Sequence, residues 1–80
     1  MTAKRILSPL PGTFYRRPAP DEPPFKEVGD AVKQGDVIGL VEVMKVFSEV
    51  KAEVDGKVKA FLAENEDPVM AGAPLVELEG

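Results

Sequence analysis

Gly29-Asp30-Ala31-Val32-Lys33-Gln34-Gly35-Asp36-Val37-Ile38 has a counterpart later in the chain, Glu66-Asp67-Pro68-Val69-Met70-Ala71-Gly72-Ala73-Pro74-Leu75. Asp30 aligns with Asp67, Val32 with Val69, Gly35 with Gly72 and Ile38 with Leu75, all at an offset of 37. Upstream, Leu10-Pro11-Gly12-Thr13-Phe14 resembles Val54-Asp55-Gly56-Lys57-Val58, at an offset of 44. The change in offset implies about seven extra residues in the first half, between Phe14 and Gly29. Four of the eight prolines fall in that interval, in Arg17-Pro18-Ala19-Pro20-Asp21-Glu22-Pro23-Pro24. Proline removes backbone donors and narrows the unfolded ensemble, so the insertion reads as a stiffened protrusion that joins no sheet. Composition also allows a disordered loop there.

Working outward, the chain alternates short apolar runs with Gly, Pro and Asp punctuation, the pattern of strands between turns. Over 54–60, Val54, Gly56, Val58 and Ala60 would face one way and Asp55, Lys57 and Lys59 the other. Val76 and Leu78 alternate with Glu77 and Glu79 in the same period of two, that of a half-buried strand. Val37-Ile38-Gly39-Leu40-Val41 is continuous instead, as expected of a strand covered on both sides or at a barrel seam. The best helix candidate is a single turn at Phe61-Leu62-Ala63-Glu64. Gly12, Gly29, Gly35, Gly56 and Gly72 fall at expected turns, where a positive φ is called for. Two similar β-rich halves predict an all-β, pseudo-two-fold sandwich or flattened barrel in one domain spanning 1–80. The turn around Met44-Lys45 would close one end and the termini would lie at the other.

Eighty residues form one small domain with a modest core. With no cysteine and no histidine, the chain offers no thiolate, no imidazole base and no Ser-His or Cys-His pair. No acidic cluster has the spacing of a metal site; Asp21-Glu22 and Glu64-Asn65-Glu66-Asp67 read as solvated turns. A net charge of −4 argues against a nucleic-acid binder, and no apolar run is long enough to span a membrane. A cytoplasmic, soluble domain without catalytic machinery of its own is the expectation.

One stretch resists that bland reading. In Glu42-Val43-Met44-Lys45-Val46 a lysine sits between two β-runs, at the expected hairpin tip, with apolar neighbours. Lys45 is one of seven lysines, and a lysine between strands is ordinarily a solvated turn residue. Apolar neighbours are out of place on a tip that faces only water. The lysine is therefore expected to serve by being modified.

Val43-Met44-Lys45-Val46 resembles the Ala-Met-Lys-Met attachment motif of biotinyl domains, the biotin carboxyl carrier type of the biotin/lipoyl-attachment family. Ser8-Pro9-Leu10-Pro11-Gly12-Thr13-Phe14-Tyr15-Arg16 is similar to the opening of the acetyl-CoA carboxylase carrier. Pro18-Ala19-Pro20-Asp21 through Phe25-Lys26-Glu27-Val28-Gly29 resembles its protruding thumb, in the place where the repeat demands an insertion. The resemblance implies two four-stranded antiparallel sheets in a barrel-sandwich hybrid, with biotin as an amide on Lys45. It implies tip and ligase-recognition roles for Glu42, Val43, Met44 and Val46. It implies a thumb of Pro18, Ala19, Pro20, Asp21, Glu22, Pro23 and Pro24 that touches the biotin ring. The implied partners are a biotin protein ligase, a biotin carboxylase and a carboxyltransferase, in a carboxylase of acetyl-CoA or another acyl-CoA. Opening on Met1 without an Ala/Pro-rich linker fits either a stand-alone subunit or an excised domain.

Val43 stands where the motif has Ala and Val46 where it has its second Met; Val43 is expected to slow the ligase. Lipoyl carriers of 2-oxo-acid dehydrogenase complexes usually place Asp before the lysine, so Met44 favours biotin. An unmodified β-sandwich that binds a protein through its apolar tip is the other alternative.

Overall fold

A computed structural model describes residues 4–79. Eight strands follow in order: β1 (Lys4–Leu7), β2 (Gly12–Tyr15), β3 (Ala31–Val32), β4 (Val37–Val43), β5 (Val46–Lys51), β6 (Gly56–Phe61), β7 (Asp67–Val69) and β8 (Pro74–Glu79). They form two four-stranded antiparallel sheets, ordered β1-β8-β6-β3 and β5-β4-β2-β7. Exchanging β1 with β5, β2 with β6, β3 with β7 and β4 with β8 turns one sheet order into the other, so the two halves are related by the pseudo-two-fold that the repeat predicts. No helix among the described residues is long and apolar enough to cross a membrane.

The symmetry reaches individual hydrogen bonds. Asp30 Oδ2 accepts the Glu27 N–H at 2.9 Å, and Asp67 Oδ2 accepts the Glu64 N–H at 2.9 Å. The Gly35 N–H donates to Ala52 O at 2.8 Å, and the Gly72 N–H donates to Ser8 O at 2.8 Å. Each repeated Asp thus satisfies a backbone donor just before β3 or β7. Each repeated Gly, with φ of 95° or 84°, turns the chain into β4 or β8.

The core is built from mates. Ile6 and Val50, Phe14 and Val58, Val32 and Val69, Ile38 and Leu75, and Val41 and Leu78 are all buried. The halves differ where Phe14 packs over Gly39, whose added Cβ would strike the Phe14 ring. At the equivalent places Val58 and Val76 share the volume. One half uses a large and an absent side chain, the other two medium ones, as close packing allows.

Four expectations need correction. Residues 37–41 are not a strand covered on both sides. Pairing skips Ile38 between Val37↔Lys51 and Gly39↔Val50, and the mate bulge skips Leu75 between Ile6↔Val76 and Leu7↔Pro74. Each bulge turns two successive residues inward, which makes a one-sided strand read as continuous. No helix forms at 61–64: Phe61 ends β6, and the Leu62 and Ala63 N–H groups both donate to Leu75 O. Long-range pairing overrides the local preference there. The 54–60 strand begins at Gly56, because Asp55 Oδ1 accepts the Gln34 N–H at 2.8 Å and so holds the turn. Gly12 and Gly56 open strands and need no positive φ. They are glycines because a Cβ would collide with the carbonyl oxygens of Glu42 and Glu79 respectively.

Candidate functional site

The β4–β5 hairpin closes through a two-residue loop, since Val43 pairs directly with Val46. Such a loop matches the twist of its strands when both central residues have positive φ, which is why Asn-Gly or Gly-Gly is usual. Here Met44 has φ 51° and Lys45 has φ 68°. Each L-residue held there costs on the order of 1–2 kcal/mol. The chain keeps that strain instead of relieving it with glycine, and the pairing along β4 and β5 holds it in place. Lys45 is exposed, Met44 is 92% exposed and Val46 is 64% exposed.

The two departures from the attachment motif lie in different surroundings. Val43 is partly buried and packs against the core, covering Gly12. Val46 points outward. Glu42 lies one step below the tip, opposite Phe47 and Thr13. Its Oε1 accepts the Tyr15 hydroxyl proton at 3.0 Å, and this carboxylate bond pushes Tyr15 ionisation above the ordinary phenol range.

Residues 16–25 form a loop beside the same sheet. The Phe25 N–H donates to Arg16 O at 2.9 Å and closes the base. The Glu22 N–H donates to Ala19 O at 3.1 Å, making a turn with Pro20 second and Asp21 third, a favoured arrangement. Arg17 Nη1 donates to Glu22 O at 3.4 Å. Arg16 anchors the base: its N–H donates to Asn65 Oδ1 at 2.8 Å, and its guanidinium lies 3.8 Å from the Phe61 ring centre.

Between this loop and the hairpin lies an open cleft of about 210 Å³, with Pro18, Ala19 and Pro20 on one side and Phe47 and Tyr15 on the other. The two rings are 5.9 Å apart and tilted by 53°. Phe47 is 56% exposed and lies two residues beyond Lys45. The cleft therefore joins the thumb stretch to the flank of the lysine hairpin. Asp21, Glu22, Pro23 and Pro24 do not line it. The Glu64–Asp67 stretch, read as a solvated turn, supplies a hydrogen-bond acceptor for Arg16 and one for its own backbone.

Sequence reasoning missed Tyr15 and Phe47 as a pair and Arg16 as an anchor. The ring pair depends on register, since Tyr15 is opposite Leu40 while Phe47 is opposite Glu42, and the Arg16 contacts join segments far apart in sequence. The one legible signal was an aromatic residue directly after the apolar tip.

A model of the family described as "Biotin-requiring enzyme" matches residues 4–78. The biotin carboxyl carrier protein of acetyl-CoA carboxylase 2, chloroplastic, from Arabidopsis thaliana is 47% identical over 70 residues, 88% of this chain and 28% of that protein. The biotin carboxyl carrier protein of acetyl-CoA carboxylase from Nostoc sp. is 43% identical over 74 residues, 92% of this chain and 41% of that protein. The chain thus spans less than half the length of these relatives. Among solved structures, the urea carboxylase of Kluyveromyces lactis matches with a TM-score of 0.80 and 32% identity, over 99% of this chain and 6% of that one. Sheet topology, internal symmetry, a strained Met-Lys tip and these matches agree, and the chain belongs to the biotin/lipoyl-attachment family of biotin-requiring enzymes.

Proposed function

We propose that this domain is a biotin carboxyl carrier of an acetyl-CoA or other acyl-CoA carboxylase, with biotin joined through an amide to Lys45. The observation that carries the reading is the two-residue turn in which Met44 and Lys45 both hold positive φ on an exposed tip. The Lys45 amine, deprotonated, attacks the acyl carbon of an activated biotin; a C–N bond forms, the adenylate leaves and the amine loses a proton. A biotin protein ligase is the partner for that step. A biotin carboxylase and a carboxyltransferase are the partners for the later ones.

The residues present fit the cofactor. Lys45 supplies an accessible amine, and Tyr15, Phe47, Pro18, Ala19 and Pro20 supply an apolar cleft on the hairpin's flank. When bound, biotin supplies a ring nitrogen that takes up and releases a carboxyl group. The domain itself adds position. Its tip holds the arm clear of the sheets, and tethering replaces free diffusion between two active sites with a high effective concentration. The 16–25 loop, as a thumb beside the hairpin, narrows the space open to the arm and shields its ring from water.

The reading is tested by presenting the ligase-treated domain to a biotin carboxylase with ATP, Mg²⁺ and labelled bicarbonate, then passing it to an acyl-CoA carboxyltransferase. Label is expected on the parent protein and then on the acyl-CoA, and on neither with Lys45→Arg, whose guanidinium stays protonated. A parent domain that takes biotin yet passes no label would overturn the carrier role.

A further inference from the structure

Among the described residues that line the cleft beside the hairpin, two are charged, Arg17 and Glu66. Both are exposed, and among the described residues neither forms an ion pair. Arg17 is held to the thumb by the bond from its Nη1 to Glu22 O at 3.4 Å. Glu66 is the one carboxylate on this lining. Its charge is felt at the aromatic pair: after the Glu42 hydrogen bond, burial and the Glu42 charge, it adds to the upward push on Tyr15 ionisation.

Glu66 also stands where the fold asks for glycine. Its N–H donates to Phe14 O at 2.6 Å, and the mate bond runs from the Gly29 N–H to Val58 O at 2.8 Å. The two backbones turn alike, with φ 70° at Glu66 and φ 98° at Gly29. Glycine holds that conformation without strain, and an L-residue does not. The Glu66 side chain is exposed, so core packing does not offset the strain. The other half of the molecule makes the same turn with no side chain at all. Strain kept at one position of a symmetric pair, on the margin of a cleft, points to a use for the side chain there.

We infer that Glu66 is a specificity residue of the cleft: its carboxylate accepts a ring N–H of biotin on Lys45, and it repels the ring once a ring N–H has been exchanged for an N-carboxylate. The inference rests on the biotin-carrier reading. The ureido ring of biotin presents N–H donors and a carbonyl acceptor. An ionised acceptor makes the stronger bond to such a donor, and two carboxylates at one site disfavour each other. Arg17 acts in the opposite sense on the loaded ring, since a guanidinium donates to a carbonyl or a carboxylate alike. The balance falls against the loaded ring, because the chain carries a net charge of −4 and amide formation at Lys45 removes a further positive charge. The cleft thus keeps the empty ring and lets the loaded ring go, which leaves the carboxyl group exposed on its arm for the enzyme that receives it.

The test attaches biotin, isotope-labelled at its ureido nitrogens, to the parent domain and to Glu66→Gly, Glu66→Gln and Arg17→Gln. Ring N–H exchange with water and ring contacts with Tyr15 and Phe47 are read by NMR, and thermal unfolding checks each fold. In the parent, one ring N–H is expected to exchange about five-fold more slowly than in biotin on a short lysine peptide, the scale of one charge-assisted hydrogen bond. Glu66→Gly is expected to lose that slowing without any fall in melting temperature. The ring is then loaded by a biotin carboxylase with ATP, Mg²⁺ and bicarbonate at mildly alkaline pH. Loading is expected to weaken the contacts with Tyr15 and Phe47 in the parent, to leave them in Glu66→Gln and to weaken them further in Arg17→Gln. Equal exchange in the parent and Glu66→Gly overturns the inference, even with the ring seated in the cleft. So does a loaded ring seated equally in the parent and Glu66→Gln, or a ring that never contacts Tyr15 or Phe47. A parent domain that takes no biotin, or takes it and accepts no load, would sink the carrier reading itself, a distinct result.

Discussion

Glu66 shows at single-residue scale what the repeat imposes. It holds φ 70° where its mate Gly29 holds φ 98°, each at the residue before the repeated aspartate. Glu66→Gly is expected to gain up to about 1 kcal/mol in urea denaturation. Relief of left-handed strain, about 1–2 kcal/mol, exceeds the added freedom of an unfolded glycine, about 0.4–1 kcal/mol. Gly29→Glu is expected to lose a similar amount; a loss in Glu66→Gly together with a gain in Gly29→Glu would contradict this reading. Lys45 and Met44 belong to the same conformational class but were legible in another way. The sequence places a lysine at a tip by spacing and apolar neighbours. The positive φ values follow only once Val43 and Val46 are known to pair.

At the scale of elements, charge and loop closure decide. Asp36 Oδ2 accepts the Lys33 N–H at 3.0 Å and lies 3.3 Å from Lys26 Nζ, and these contacts hold its carboxyl below the usual range. A depressed folded pKa adds stability that is present above the unfolded value, about 3.9, and is lost as pH falls through the folded value. Asp36→Asn is therefore expected to lower the melting temperature at pH 7 but to change it little at pH 2; equal losses at both pH values would exclude an ionic origin. In the thumb, replacing Pro18–Pro24 with Gly-Gly is expected to leave the eight-strand fold intact, since among the described residues only its own turn and Arg17 bond into that segment. It should raise the mobility of a biotin ring on Lys45, read by NMR relaxation. Unchanged relaxation would remove the thumb's role. The prolines announced that this insertion stands apart. The cleft beneath it was illegible because Tyr15 and Phe47 come together across strands far apart in sequence.

For the whole molecule, symmetry means interlocking. The outer strands of each sheet reach across halves: β1 pairs with β8, β3 with β6, β4 with β5 and β2 with β7. Neither half closes a sheet alone, and a pair of strands is marginal in water. Fragments 1–44 and 45–80 are expected to be unfolded separately by circular dichroism and to regain β structure when mixed. A fragment that folds alone would show that the repeat is two modules. The 37-residue offset revealed this architecture because turn residues and core residues repeat together. It could not reveal the two bulges, which trade strict alternation for two successive inward residues.

On the proposed function, the domain's chemistry comes down to one amine. Intact mass is measured after incubation with biotin, ATP and a biotin protein ligase, with Lys45→Ala treated in parallel and a known carrier as control. One biotinyl increment on the parent and none on Lys45→Ala is the expected result, with the variant's melting temperature little changed. A parent without the increment, while the control is labelled, or an increment that persists in Lys45→Ala, would contradict the assignment of this fold's function to its tip.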